Sequence, residues 1–194
     1  MYHPAARTGV RTRKKKTQIA AMERILSFEK VDQYFKELAT KNVDIGDYCG
    51  VSAEELVQKV SSTVGFGKPK PGLVFFGYRW KLDGNQQRTS SIRTLSFSIL
   101  YSGIKADHYA AQTIAKSNAE AIGLEVLSRI NFQSKLPASG WLYNNFIKDS
   151  VLGEDVDLGG PEGFFGMDFH FDLKVQEPLV MDPDKWSDGS DFPC

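Results

Sequence analysis

Phe164-Phe165-Gly166-Met167-Asp168-Phe169-His170-Phe171-Asp172-Leu173-Lys174-Val175 is the stretch that decides the fold. Phe165, Met167, Phe169, Phe171, Leu173 and Val175 hold every second position, and Asp168, His170, Asp172 and Lys174 stand between them. A period of two over this length is a strand with one buried face and one wet face. A slip of one residue would turn the whole apolar set into water, so the register is strongly specified.

Two further strands are read upstream. In Leu73–Leu82, the residues Val74, Phe76, Tyr78, Trp80 and Leu82 alternate and are expected on the core face. The return strand, Ser91–Tyr101, places Leu95, Phe97, Ile99 and Tyr101 on one side and Thr94, Ser96 and Ser98 on the other. Asp83-Gly84 and Asn85-Gln86-Gln87 predict a connecting loop longer than two residues, spanning Asp83–Thr89. Trp141–Leu152 reads as another strand, followed by an acidic, glycine-rich loop over Gly153–Gly163.

Helical spacing begins at Ile19, Met22 and Leu26 and continues through Val31, Phe35 and Leu38, ending near Lys41-Asn42. Ser52 with Glu55 forms a capping box for a short second helix carrying Leu56, Val57 and Val60. Asp107 is placed to cap a long helix to about Ile130, with Ile114, Ile122, Val126 and Ile130 in one stripe. Ala111, Ala115, Ala119 and Gly123 beside that stripe would let the helix sit close on a sheet. The expected fold is therefore α+β. It has a mostly antiparallel sheet, a long helix on one face, N-terminal helices and extended charged arms.

At 194 residues the chain makes one domain with arms, here 17–176, flanked by a basic arm (1–16) and an acidic tail (177–194). Net charge is zero, yet Arg7, Arg11, Arg13, Lys14, Lys15 and Lys16 all precede the first acid, Glu23. From Asp149 onward twelve carboxylates stand against only Lys174 and Lys185. Opposite ends suit head-to-tail contact between copies, or a basic arm on an anionic partner; a solvated run is the plain structural reading. Cys49 and Cys194 make neither a disulfide framework nor a zinc motif. No apolar run approaches a membrane span, and the N-terminus lacks the apolar core of a secretory signal.

Signatures of catalysis are few. Asp168, His170 and Asp172 project from one strand face and could hold a divalent metal, though the alternation alone already accounts for them. Neither cysteine has a neighbouring base, and no nucleophile elbow is present. Gly65–Gly72 fits no phosphate-loop pattern, and its prolines lack the amides a phosphate would need. No enzyme and no cofactor is expected. The basic cluster Arg11–Lys16 could contact phosphates, with Phe75-Phe76-Tyr78-Trp80 offering rings for stacking, so a small nucleic-acid-binding protein is the second reading.

The layout over about residues 17–176 resembles that of the tail-terminator and tail-completion proteins of tailed phages and contractile injection particles. The likeness rests on Leu73–Tyr101 and on Gly159-Gly160-Pro161-Glu162-Gly163-Phe164-Phe165-Gly166-Met167-Asp168-Phe169 leading into the last strand. It implies a non-enzymatic virion subunit of a hexameric ring, joining the tail tube to the neck connector, with no membrane contact. Under that resemblance, Asp83, Gly84, Asn85 and Arg88 and the acidic Glu154, Asp155 and Asp157 are candidate ring-contact loops. The arm residues Arg7–Lys16 would reach neighbouring subunits or DNA in the channel. Trp186 and Phe192 are candidate contacts of the C-terminal tail.

Overall fold

The computed structural model describes residues 26–50, 59, 65–85, 88–158, 163–177, 179, 181 and 185–187. The chain divides into Arg24–Val180 and a remainder, Met1–Glu23 with Met181–Cys194; the elements below all belong to the first unit. They are helix α1 (Phe28–Lys41), strands β1 (Asp47–Cys49), β2 (Gly72–Asn85) and β3 (Arg88–Ile104), helix α2 (Tyr109–Gln133), a 3-10 turn (Pro137–Leu142), and strands β4 (Phe146–Leu158) and β5 (Gly163–Gln176). The architecture is α+β, a five-stranded sheet in the order β1-β2-β3-β5-β4. Only β1–β2 is parallel, joined at Asp47–Cys49 and Gly72–Val74.

The alternating stretch behaves as read. β5 lies between β3 and β4, and its odd-numbered residues from Phe165 to Val175 face the core. Both helices pack on this one face. α1 contributes Val31, Phe35, Leu38 and Ala39, and α2 contributes Ala119, Ile122, Val126, Leu127 and Ile130. Tyr34 ties the helices together by donating to Gln133 Oε1 at 2.6 Å. α1 opens at Ser27, which is extended and whose Oγ accepts from the Lys30 amide, so the apolar spacing that began at Ile19 is interrupted there.

Several expectations are corrected. α2 is preceded by His108 at its cap position, not capped by Asp107, and it runs on to Gln133. Ile114 points to solvent while Ala115 and Ala119 are buried. Trp141 lies in the 3-10 turn, where Pro137 starts the turn and Gly140 takes a positive φ of 56°. β4 therefore starts at Phe146 and absorbs 153–158, so the supposed acidic loop is mostly strand, with only residues 159–162 between β4 and β5. Likewise Asp83, Gly84, Asn85 and Arg88 pair within the hairpin, leaving only residues 86–87 as its connection. The helix read over Ser52–Val60 lies outside the described residues, apart from Lys59.

The face assignment of β2 also changes. A bulge between Phe75 and Gly77 shifts the register, so Phe75 faces Phe97 while Tyr78 faces Leu95. An extra residue inverts the alternation. Val74 and Phe76 thus fall on the face away from the helices, and Tyr78, Trp80 and Leu82 on the helix face. At one end of the face away from the helices, Phe66 closes a small second cluster of Cys49, Val74 and Leu100, flanked by Val156 and Phe164.

Close approach of α2 to the sheet depends on Gly123. A Cβ there would lie 2.0 Å from the Phe169 ring, which is itself stacked on Phe97 at 5.1 Å between centroids. Gly123→Ala gains about 1 kcal/mol of helix propensity but forces the ring aside, an overpacking cost of about 1–3 kcal/mol. A net loss of stability is expected in urea denaturation; a gain would show that the helix is not seated by this contact.

Candidate assembly surface

Two long strand edges have no strand partner among the described residues. β1 covers β2 only through Val74, leaving its edge open from Phe75 to Asn85. β4 pairs with β5 on one side only and closes the sheet at the other end. Exposed side chains differ in charge between these edges. Arg79 and Lys81 stand on β2, and Glu154, Asp155 and Asp157 on the regular run of β4, whose irregular start carries Lys148 and Asp149. Trp80 (56% exposed) and Leu82 (46%) add apolar surface on the helix side of the β2 edge.

The middle of the face away from the helices carries a polar ladder between β3 and β5. Thr94 donates to Asp172 Oδ1 at 2.6 Å, Ser96 Oγ lies 2.7 Å from His170 Nδ1, and Ser98 donates to Asp168 Oδ1. Each pair is a directly opposed residue couple in the β3–β5 register. The face expected to be wet is polar but half-buried: Asp168, His170 and Asp172 are partly covered, and Ser96 and Ser98 are buried. Among the described residues no group of three His, Cys, Asp or Glu side chains is placed to hold a metal ion. A hydroxyl beside each member satisfies it instead. Burial pushes the Asp168 carboxyl above the usual range and nearby Glu154 adds to this, while the Ser98 hydrogen bond and His170 oppose it. Phe76 meets His170 edge-on at 5.9 Å, and a Cβ on neighbouring Gly77 would lie 2.6 Å from Ser96.

Sequence reasoning missed a clasp at the far end of the helix face. Arg93 stands in the core-facing series of β3 and is 5% exposed. Its Nε donates to Ser91 Oγ at 2.9 Å, one terminal nitrogen donates to Tyr78 Oη at 2.8 Å, and the other pairs with Glu177. The guanidinium also lies 5.2 Å from the centroid of the Trp80 ring. Glu177 follows β5, and its amide donates to the Thr89 carbonyl at 3.1 Å. The clasp therefore joins the hairpin to the exit of the last strand and holds the indole in place. A charged residue at a core position of an alternating strand was the available signal.

Lone ion pairs complete the surface. Lys174 donates to Asp83 at 2.8 Å and holds that carboxyl below its usual range, and Lys116 of α2 does the same for Asp155 at 2.7 Å. The expected contact residues are thus strand residues of one sheet: Asp83, Gly84 and Asn85 on β2, Arg88 at the start of the interior strand β3, and Glu154, Asp155 and Asp157 on the opposite edge, β4. Trp186 is exposed, in the other unit. Arg7, Arg11, Arg13, Lys14, Lys15, Lys16 and Phe192 lie outside the described residues. Among the described residues no helix is long and apolar enough to cross a membrane. No protein-family model, curated protein or solved structure matches the chain.

Arg93→Met leaves Glu177 without its partner in a site only 14% exposed, with an expected loss of about 2–4 kcal/mol in urea denaturation. Adding Glu177→Gln should recover part of that loss; no recovery would show that packing, not the pair, sets the cost. Asp168 has a raised folded pKa, so its charged form costs stability above the usual carboxylate range and the cost vanishes as pH falls below it. Asp168→Asn is expected to raise the melting temperature at pH 7, with the gain shrinking towards zero near pH ~4. A gain constant across this range would rule out charge burial as its cause.

Proposed function

We propose that this chain is a structural subunit that assembles with copies of itself, as the ring-forming tail-terminator and neck proteins of tailed phages do. The observation that carries the reading is a sheet covered by helices on one face with both long edge strands lacking a strand partner among the described residues. Monomeric proteins blunt such edges with charges, bulges, prolines, short strands or covering segments. The β2 edge carries a bulge, Arg79 and Lys81, and between those charges it presents Trp80 and Leu82 to solvent. Closure of copies into a ring removes the open edges altogether, as barrel closure does within one chain.

The proposed setting is a virion, with the ring between a tail tube and a head-side connector. Support comes from the layout of hairpin, crossing helix and final alternating strand over Leu73–Gln176. The basic N-terminal residues would then serve as a contact to neighbouring subunits or to DNA in the channel.

Light scattering and negative-stain microscopy of the full chain over a wide concentration range test this reading. A uniform multimer with ring-shaped particles, formed without nucleic acid, is the expected result. A monomer at every concentration would overturn it. A monomer that binds duplex DNA with steep salt dependence would replace it with the basic-arm reading.

A further inference from the structure

The geometry points to one joint between copies: the β2 edge of one copy pairs antiparallel with the β4 edge of the next, with Arg79 opposite Glu154. The inference rests on the assembly reading above and names its contact.

Strand direction comes first. β3 runs antiparallel to β2 and to β5, and β4 runs antiparallel to β5, so β2 and β4 point in opposite directions. A rotation about an axis along the strands leaves these directions unchanged in the neighbouring copy. The β2 edge then meets the neighbour's β4 edge in antiparallel sense, and one sheet continues through the joint.

Side-chain parity comes next. Beyond the bulge, Gly77, Arg79 and Lys81 lie on the face away from the helices, called the open face below, while Tyr78, Trp80 and Leu82 lie on the helix face. On β4, Leu152, Glu154 and Val156 are on the open face, opposite His170, Asp168 and Gly166 of β5. Gly153, Asp155 and Asp157 are on the helix face, opposite Phe169, Met167 and Phe165. Residues opposite one another in a ladder share a face, so Arg79 can meet only Leu152, Glu154, Val156 or Leu158.

Obstruction narrows the choice. β1 occupies β2 as far as Val74 and the bulge follows, so regular pairing starts at Gly77. In β4 the irregularity between Ile147 and Leu152 leaves 152–158 as its regular run. Two registers set a cation against Glu154, one through Arg79 and one, two residues along, through Lys81. The Arg79 register puts Trp80 opposite Gly153, whose missing side chain leaves room for the indole. The Lys81 register puts Trp80 opposite Asp155, which Lys116 already engages. Charge admits both registers, and the room beside Gly153 favours Arg79 opposite Glu154.

A charge exchange tests the joint in the full-length chain. Arg79 and Glu154 are both exposed, so their substitution leaves the subunit fold intact, with circular dichroism as the control. Arg79→Glu and Glu154→Arg should each weaken assembly roughly tenfold in sedimentation velocity, by turning attraction into repulsion at every joint. The two substitutions in one chain should restore assembly, because the exchanged charges again face each other across the joint. If the double variant stays as weak as the singles predict together, the pairing is wrong. Rescue by Lys81→Glu with Glu154→Lys instead would replace the register. An assembling wild type that ignores every variant would overturn the joint alone. A wild type that never assembles would overturn the assembly reading, and the joint with it.

Discussion

A row of phenylalanine rings through the middle of the sheet is the contact on which the remaining structure depends. Phe75, Phe97 and Phe169 lie opposite one another on β2, β3 and β5, and the row ends at Gly153 on β4. Phe97 and Phe169 stack, and Phe35 of α1 stacks on Phe75 at 4.7 Å. Gly123 of α2 seats against Phe169. Both helices are therefore positioned against one line of aromatic surface, and each ring contributes a large apolar area to the core. Moving one ring disturbs a neighbour on every side.

This dependence explains which parts of the sequence were readable. β5 has no bulge in its own numbering and two strand neighbours, so period-two alternation maps directly onto burial from Phe165 to Val175. β2 carries the same kind of pattern but contains an inserted residue at Phe76, and the one local hint in Val74-Phe75-Phe76-Gly77-Tyr78 is the strand glycine Gly77, which the alternation alone passes over. The bulge is a cross-strand fact, set by Phe75 seeking Phe97 and Tyr78 seeking Leu95. For the same reason Asp83–Arg88 and Glu154–Asp157 read as loops. Their glycines and charges disfavour strands locally, and the ladders of β3 and β5 override that preference. The candidate contact residues were legible as polar, but not as members of ladders that place Asp83–Asn85 on β2 and Glu154–Asp157 on β4. The parallel strand β1 was not legible at all, since three residues carry no period.

The two faces of the sheet are stabilised by different means. On the helix side, burial of Leu73, Phe75, Leu95, Phe97, Ile99, Phe169 and Phe171 supplies the hydrophobic contribution. Across the middle of the other side, Thr94, Ser96 and Ser98 are small enough to lie flat and each meets a polar partner one strand away. Neutral hydroxyls opposite Asp172, His170 and Asp168 keep like charges from standing directly across from each other. The polar groups of that face are satisfied within the sheet, so they need no partner from another copy.

The edges are different, because among the described residues the outward amides and carbonyls of β2 beyond Val74 and of β4 meet no further strand. Charged residues on an edge protect against indiscriminate pairing, and both β2 and β4 carry them. Here they also have opposite sign. Two copies meeting β2 to β2 would oppose Arg79 and Lys81 to their like, and two meeting β4 to β4 would oppose carboxylates. Only the mixed contact removes both penalties, and the same strand directions that built the sheet make that contact antiparallel. The charges on Arg79, Lys81 and Glu154–Asp157 thus oppose isologous edge-to-edge dimers, whose symmetry matches each edge with itself, and fit the proposed head-to-tail joint.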